Sequence, residues 1–555
     1  MTTNPADRLD SWKEIASYLR RDVRTVQRWE KKEGLPVHRH QHDKLGSVYA
    51  YPAELTSWFT TRQQTAPEAQ SPSGEKTGEK TPGDKIKMAV LPFGNLSGSA
   101  EDNYFSEGLT EEMITQITRL QPGELAVIAR GTAVNYDSSR SSLEQMKKDL
   151  GVDYVLEGKV RRGGDRVRIT AQLSEIQDQT QLWAETYERD LSDVLSVQAE
   201  IAEAIAREIH LALNLTESER LTGLRKGQQR IKPAAYDAYL KARYHLHEMT
   251  PAAISKSIED FKKAVELDPS YAPAHAGLAS AYALLAIAPF DYLAPHEAMP
   301  KAEAAARQSL QLDGNLAEAH TALALVEHHY HWNWSGAEAH YKRAHELNPD
   351  YADAHLWYSW LLLALGRKED ALKEIEHTMR IVQETDPGRL VAVHATRGLA
   401  YYFNREFQQS VEECAKGLQL DPKHFMLHYI KGRSHMRLGQ ENECIEQLKA
   451  AAAPGEFPLV DAALGLAYAV VGKLDEAKKM ADTFKDVMAK RYIPPTYFGM
   501  LYAGLGDRER ALVWLDKAFR ERADGLTWLN VDPMLDDMRP DERFQELVER
   551  IGLKQ

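Results

Sequence analysis

A repeated spacing over residues 233–525 constrains the fold of this 555-residue chain more than any other feature. A unit of small residues, a Tyr or His and a closing Leu-x-Pro recurs about every 34 residues where no insertion intervenes. Three copies of its end read AVELDP, AHELNP and GLQLDP at 264–269, 344–349 and 417–422. Such helical units bury their apolar faces only against their neighbours, so the pattern predicts an α-solenoid.

Glycine recurs at one position of the unit, where we expect two helices to approach closely, at Gly398, Gly432, Gly465 and Gly499. The spacing and these residues resemble the tetratricopeptide repeat over more than half of the chain. We expect roughly eight helix pairs in residues 233–525, the first two with insertions. The resemblance implies a concave groove that holds a protein or peptide partner; a scaffold or self-association surface is the alternative.

The end of the chain, residues 526–555, is predicted to be a C-terminal capping helix. Residues 541–551 are amphipathic, with an inner face of Phe544, Leu547, Val548 and Ile551.

The first 62 residues carry a different pattern, two short helices joined by a turn. Trp12, Ile15, Ala16 and Leu19 share one face of the first helix. In the second helix, residues 23–32, we expect the apolar residues to face inward, with Asp22 as its cap. Residues 35–41 and 47–51 favour a hairpin that turns at Gly46.

The polar face of the second helix carries the residue types that read base edges. Arginine can bond guanine bidentately, glutamine can bond adenine, and lysine neutralises phosphate. We expect base contacts from Arg24, Thr25, Gln27 and Arg28. We expect phosphate contacts from Lys31, Arg39 and Lys44.

The runs VRTVQRWE at 23–30, GLP at 34–36 and GSVYAY at 46–51 resemble the winged helix of the MerR and excisionase families. The resemblance implies a winged helix-turn-helix domain in residues 1–62 that binds double-stranded DNA. The long dimerising helix of MerR regulators does not follow the wing here. One small head covers few base pairs, so we expect at least two heads, with half-sites about 34 Å apart.

Residues 63–85 are predicted to be a flexible linker because they lack large apolar residues and are rich in Pro, Gly, Ser, Thr, Glu and Lys. The charge is divided unevenly along the chain. Residues 1–62 hold 11 Lys and Arg against 8 Asp and Glu, a charge of +3, whereas the whole chain carries −13. We therefore expect modest, salt-sensitive DNA binding, since the acidic remainder repels DNA.

Residues 86–213 alternate between strands and helices and predict a compact α/β (α+β) domain, followed by a connector at 214–232. AVLPF, YFSEGLTEE, YVLEG, RVRITAQL and LWAE, at 89–93, 104–112, 154–158, 166–173 and 182–185, resemble the TolB N-terminal-like domain, which is related to FlgO-like domains. Similar domains lie between an output module and helical repeats in bacterial regulators and some adenylate cyclases. Helix-dipole and solubility roles account for Glu107, Glu111 and Glu112.

The chain shows no motif of a catalytic, cofactor or metal site. It lacks GxGxxG, Walker, HExxH and CxxC patterns, so we expect no enzyme activity, no cofactor and no metal. The histidines between His320 and His355 are expected on the surface and in the groove. Cys414 and Cys444 are expected to be buried thiols of a cytoplasmic protein. No signal peptide or membrane span is predicted.

Together these patterns predict a multidomain, mainly α protein: a small winged helix-turn-helix, a compact α/β domain and a solenoid of tetratricopeptide helix pairs. The function they favour is that of a cytoplasmic, bacterial-type transcriptional regulator that binds DNA and, through its repeats, a protein partner or another copy. The alternative is a scaffold or adaptor that uses its repeats for protein interaction and does not bind DNA.

Overall fold

The computed structural model divides into two compact units, Met1–Pro82 and Gly83–Gln555. The residues described are 8–18, 26, 30, 31, 34–39, 48–52, 54, 55, 58, 86–97, 103–120, 125–128, 146, 151–164, 166–177, 179–194, 197, 198, 200–202, 204, 205, 231–385, 387–452, 457–473, 475–477, 479, 480 and 492–553.

The first unit contains helix α1, Trp12–Tyr18, and a pair of short antiparallel strands. These strands are β1, His38–Arg39, and β2, Val48–Tyr49, with His38 opposite Tyr49. The predicted inner face of the first helix is buried where it is described, since Ile15 and Ala16 are almost inaccessible. A small core joins them to the strands through Val26, Leu35, Val48, Ala50 and Leu55.

The second unit begins with a mixed sheet in the order β5-β3-β6-β7-β8, with β4 beside β6. β3 runs parallel to β5 and β6, while β6, β7 and β8 form an antiparallel meander. Helix α2, Asn103–Leu120, packs against this sheet. The strands are β3 Ile86–Val90, β4 Gly94–Asn95, β5 Leu125–Ile128, β6 Tyr154–Gly163, β7 Arg166–Glu175 and β8 Thr180–Asp190.

Helix pairs follow, and we number them repeats 1 to 8. They are α3/α4, Pro233–His247 and Pro251–Leu267; α5/α6, Ala272–Leu285 and Pro295–Leu312; α7/α8, Ala317–Val326 and Trp334–Leu347; α9/α10, Ala352–Ala364 and Lys368–Thr385; α11/α12, Leu390–Phe403 and Phe407–Leu420; α13/α14, Phe425–Arg437 and Glu441–Ala451; α15, Pro458–Val470, with helical residues at 475–477, 479 and 480; and α16/α17, Pro495–Gly504 and Arg508–Arg520.

The repeated glycines lie where two helices of one repeat touch. A Cβ on Gly432 would lie 2.8 Å from Cγ of Leu448, and one on Gly499 would lie 2.8 Å from Cδ2 of Leu515. Gly398 faces Sγ of Cys414 in the same way. The close approach expected at this position is therefore found. The two insertions differ, since 286–294 is a loop whereas 248–250 is only a short turn.

The chain ends in two short 3₁₀ segments, Asp524–Trp528 and Pro533–Met538, and helix α18, Glu542–Arg550. The predicted inner face of α18 is buried, because Phe544, Leu547 and Val548 are all less than 5% exposed. No helix in the part of the chain that the structure describes is long and apolar enough to cross a membrane.

The middle domain and the first repeats share one apolar core. Met88 and Leu156 of the sheet belong to the same cluster of buried residues as Tyr236 and Phe261 of repeat 1, and the cluster continues to Val326 of repeat 3. The predicted boundary between a domain and a separate solenoid is thus a packed interface.

Candidate DNA-binding and protein-binding sites

Most of the residues predicted to touch DNA lie outside the described residues. These are Arg24, Thr25, Gln27, Arg28 and Lys44. The base-reading face therefore stays a prediction from the sequence.

Two of the predicted phosphate contacts are described. Lys31 is helical and exposed. Arg39, on β1, donates a hydrogen bond of 2.6 Å from Nη2 to Oε1 of Glu30. Its side chain is 58% exposed, so the guanidinium combines a structural partner with access to solvent. Arg39 thereby ties the strand pair to the helical residues around Glu30.

A second group of charges joins α2 of the middle domain to α3 of repeat 1. Arg243 pairs with Glu112 and, at 3.2 Å from Nη2 to Oε2, with Glu111. Tyr239 donates a hydrogen bond of 3.0 Å to Oε1 of Glu112. Burial lowers the pKa of Arg243, but Tyr239 and the two carboxylates raise it well above its usual value.

These contacts correct the interpretation of the α2 glutamates. Glu112 is buried, with only 8% of its side chain exposed, and Glu111 is largely covered. A solubility role does not fit such positions, because a buried carboxylate needs a partner. Glu111 and Glu112 instead hold the middle domain on the repeats.

A partly buried network lies nearer the start of α2 in the same interface. Asp237 of α3 accepts hydrogen bonds from Tyr104 of α2 and Arg162 of β6. Burial raises the pKa of Asp237, but the hydrogen bond from Tyr104 and the charge of Arg162 bring it below its usual range. Gly108 permits this contact, because a Cβ there would lie 2.8 Å from Cδ2 of Leu240. The two networks fix the orientation of α2 on α3.

The inner surface of the repeats, formed by their first helices, is covered in part by the end of the chain. We call residues 523–538 the terminal segment. Trp528 of this segment stacks on Phe403 of repeat 5, with ring centroids 4.9 Å apart, and meets Trp360 of repeat 4 edge-on at 5.5 Å. Trp528 is only 7% exposed. The segment therefore occupies an aromatic site where the sequence predicted an open groove.

Two ion pairs hold the part of the terminal segment that follows this aromatic contact. Arg433 of repeat 6 makes a bidentate pair with Asp532 at 2.6 and 2.8 Å, and both side chains are almost completely buried. Arg405 of repeat 5 donates to Oδ1 of Asp536 at 2.6 Å. Burial lowers the pKa of Arg433, but the charge of Asp532 raises it well above its usual value. A low dielectric environment strengthens such a pair.

The start of the terminal segment meets the early repeats. Asp524, which is 1% exposed, accepts a hydrogen bond of 3.0 Å from the amide of Ala288 and contacts Nδ1 of His329. Trp334 donates to the carbonyl of Ile551 at 2.8 Å. Tyr497 of repeat 8 bonds Asp291 in the loop of repeat 2. Repeat 8 and the terminal segment thus close the array on repeats 2 and 3.

The histidines of the array form a recurring scaffold. His331 lies on the surface as expected, whereas His328 and His329 are buried. At the start of the first helix of several repeats, a histidine Nε2 faces the carbonyl six residues earlier, at 2.9–3.2 Å. The pairs are His275 with Pro269, His320 with Gly314, His355 with Pro349 and His428 with Pro422. Nδ1 contacts the second helix in four repeats, joining His320 to His340, His355 to Glu374, His394 to Glu413 and His428 to Gln447.

One group among the described residues has the composition of a metal site. Ligand atoms of His345, His355 and Glu374 lie within 4.8 Å of one another. However, His355 and Glu374 are the repeat 4 copy of the scaffold pair, and the rings of His345 and His355 are stacked 3.7 Å apart. The nitrogen lone pairs of two stacked rings lie in parallel planes, whereas the ligands of a tetrahedral metal site point towards one centre. Burial and the charge of His355 lower the pKa of His345 to about 4.

The two cysteines are buried and unpaired, as expected. Burial raises the pKa of each thiol to about 12. Both are therefore poor nucleophiles at neutral pH.

The residues that build the terminal contact were not among the predicted site residues. A regular spacing marks them, because Asp524, Trp528, Asp532 and Asp536 follow one another at intervals of four. Their partners, by contrast, lie up to 236 residues away in the chain and show no such signal.

Two family models match parts of this chain. Residues 84–204 match the second domain of HilA/YgeH-like transcriptional regulators, and residues 333–392 match a tetratricopeptide repeat. The chain therefore contains a regulator-type middle domain followed by tetratricopeptide repeats. The more specific MerR-like and TolB-like assignments stay predictions.

Whole proteins show similarity over longer stretches. The "Putative adenylate cyclase 3" of Rhizobium meliloti (strain 1021) is 33% identical over 247 residues, which cover 44% of this chain and 40% of that protein. The transcriptional regulator HilA of Salmonella typhimurium is 24% identical over 320 residues, covering 57% of this chain and 53% of HilA. The chain thus spans about half or less of the length of these curated relatives.

Solved structures resemble the chain only loosely. The Cut9–Hcn1 hetero-tetramer of the APC/C gives a TM-score of 0.38 at 12% identity, covering 65% of this chain and 63% of that one. TolB from Acinetobacter baumannii gives a TM-score of 0.19 at 20% identity, covering 23% of this chain and 28% of TolB. Both scores are too low to establish a shared fold.

Proposed function

We propose that this chain is a cytoplasmic transcriptional regulator whose first unit binds double-stranded DNA and whose repeats bind protein. The observation that carries the proposal is the match of residues 84–204 to a domain of HilA/YgeH-like transcriptional regulators. A separate N-terminal unit with a short helix and a pair of strands precedes this domain, where the sequence predicts a winged helix-turn-helix. The repeats that follow supply the protein-binding surface.

In this proposal Arg24, Thr25, Gln27 and Arg28 contact bases, and Lys31, Arg39 and Lys44 contact phosphates. Arg39 is suited to a backbone contact because Glu30 fixes its orientation while 58% of its side chain remains exposed. Phosphate contacts position the head without reading sequence. The charge of +3 on residues 1–62 supports approach to DNA, although the whole chain carries −13.

The direct test is selection of random duplex DNA by the full-length protein, followed by anisotropy titrations of the enriched duplex at several salt concentrations. Arg24→Ala/Arg28→Ala should lose the enriched motif and bind at least tenfold more weakly. The matched control is Arg161→Ala/Arg168→Ala, which removes the same charge from exposed strand positions of the middle domain. The control should keep the motif.

Failure to enrich any motif, with equal binding by both variants, would contradict DNA recognition by the head. The scaffold or adaptor function would then be favoured, since it requires no salt-dependent DNA affinity. Protein binding by the repeats is common to both functions and is tested separately below.

We further propose that the chain acts without catalysis. The relative named as an adenylate cyclase shares only 40% of its length with this chain. Incubation of the purified chain with ATP and Mg²⁺ should leave cyclic AMP at the level of a buffer control. Formation of cyclic AMP in proportion to protein concentration would overturn this part of the proposal.

A further inference from the structure

The terminal segment has two sides of different chemistry. Leu526, Leu529, Leu535 and Met538 pack in a cluster with repeat 8 and α18. Trp528 and Val531 belong instead to the cluster that runs through repeats 3 to 8. One side therefore attaches the segment to its own end of the chain, and the other side presents it to the inner surface.

The side that meets the inner surface is acidic and aromatic. It carries one indole and three carboxylates at intervals of four residues, from Asp524, Trp528, Asp532 and Asp536. Each has its own partner on the repeats: His329, the ring pair of Trp360 and Phe403, Arg433, and Arg405. Arg437 adds a further positive charge 3.9 Å from Asp536. Arginines thus face two of the three carboxylates, and aromatic rings face the indole.

The inner surface is specialised for this chemistry. Arg433 lies over the ring of Tyr402 at 4.5 Å and donates to the hydroxyl of Tyr429 at 3.0 Å, so its guanidinium is held in place before any carboxylate arrives. A fixed, buried guanidinium selects a planar carboxylate and disfavours other groups. Buried ion pairs contribute mainly to specificity, because the attraction only offsets the loss of hydration.

We propose that the inner surface of repeats 4 to 6 is a recognition site for acidic segments that carry a tryptophan, and that the terminal segment is its resident ligand. A protein partner enters this site by presenting Trp-x₃-Asp-x₃-Asp or an equivalent arrangement and displacing the chain's own copy. The inference rests on the protein-binding half of the proposed function and names the chemistry of the partner. The arginine and aromatic contacts are the same for resident and incoming segments.

The experiment uses the full-length chain and a fluorescent peptide of residues 521–540 as probe. Trp528→Ala/Asp532→Asn weakens the resident segment and leaves the inner surface unchanged. This variant should bind the peptide at least tenfold more tightly than the unaltered chain does. Adding Arg433→Met should reverse the gain, and a peptide with the same two replacements should not bind. Glu546→Gln, on the exposed face of α18, is the control and should behave as the unaltered chain.

A folded Trp528→Ala/Asp532→Asn chain that binds the peptide no better than the unaltered chain would overturn the proposal. If that variant fails to fold by circular dichroism, hydrogen exchange of the unaltered chain decides instead. The proposal requires amides of residues 523–538 to exchange faster than those of α13, because the segment leaves while the repeats stay folded. Equal exchange rates in the two regions, limited by unfolding of the whole chain, would contradict the proposal. Neither measurement involves DNA, so its failure is distinct from failure of the DNA-binding proposal.

Discussion

The contacts between neighbouring repeats and the contacts of the terminal segment hold the same array by different means. Two contacts recur in the repeats. A histidine faces a backbone carbonyl, as in His355 and His428, and a glycine lets a leucine of the next helix pack closely, as in Gly432. The terminal segment uses pairs that occur once, such as Arg433 with Asp532. Loss of one copy of a recurring contact leaves the other copies in place, whereas removal of one partner of a single buried ion pair leaves an uncompensated charge.

The largest expected effect comes from breaking that single pair. Arg433→Ala leaves Asp532 as an uncompensated buried charge, which costs about 3–5 kcal/mol of unfolding free energy. Arg437→Ala is the control, because its side chain is 37% exposed and lies 3.9 Å from Asp536, and it should cost no more than about 1 kcal/mol. Urea unfolding followed by circular dichroism measures both. Equal losses in the two variants would show that the terminal contact is no stronger than a surface pair.

A similar but smaller loss is expected where the middle domain meets repeat 1. Arg243→Ala leaves Glu112 buried without its cation, and we expect a loss of about 2–4 kcal/mol. Lys263→Ala is the control on the neighbouring helix α4, because its side chain is exposed. Limited proteolysis should separate the middle domain from the repeats faster in the Arg243 variant. Unchanged proteolysis together with unchanged stability would argue against a fixed interface.

Disrupting one copy of a recurring contact should cost less unfolding free energy than breaking the single buried ion pair. Gly432→Ala places a Cβ 2.8 Å from Cγ of Leu448 and 3.2 Å from the carbonyl of Cys444, which we expect to cost about 1–3 kcal/mol by overpacking. Gly163→Ala is the control, because nothing lies within 4 Å of its added Cβ. Thermal unfolding of the two variants compares them. If Gly432→Ala and the control unfold at the same temperature, the helices of a repeat can move apart without strain.

The smallest effect is expected from acid. Burial and the charge of His355 lower the pKa of His345 from its usual value of 6.5 to about 4 in the folded chain. Between these two pH values the unfolded chain binds a proton at His345 that the folded chain does not bind. Stability from this residue is therefore complete above pH 6.5 and falls as the pH drops towards 4. His345→Phe should reduce the loss between pH 6.5 and 4.5 by about 1 kcal/mol. Urea unfolding at both values measures it, and identical pH dependence in both proteins would exclude His345 as a source.

The same contrast explains which parts of the fold could be predicted from sequence. The glycine positions were predictable because they recur with a period of about 34 residues. The inner face of α18 was predictable because its apolar residues follow the helical period of about 3.6 residues. Arg433 and Asp532 stand 99 positions apart and carry no periodic signal. Glu112 looked like any acidic residue early in a helix, since only its tertiary partner Arg243 makes it structural.

The candidate sites divide in the same way. Local pattern suffices to predict a polar helix face with Arg24 and Arg28, which stays a prediction because these residues lie outside the described part of the chain. The occupied inner surface depends on how far the array turns before its end meets repeats 2 and 3. That geometry is set by many small rotations between helices, and none of them can be read from a single residue.

The closure of the array has a consequence for synthesis on the ribosome. Trp360 and Phe403 leave the ribosome long before their cover, because Trp528 is added 168 residues after Trp360. At about 5–20 residues per second, this leaves the aromatic site uncovered for roughly 10–30 s in every new chain. During that time the nascent protein exposes an apolar aromatic surface flanked by arginines. Chaperones and other nascent chains therefore encounter this surface before residues 523–538 do.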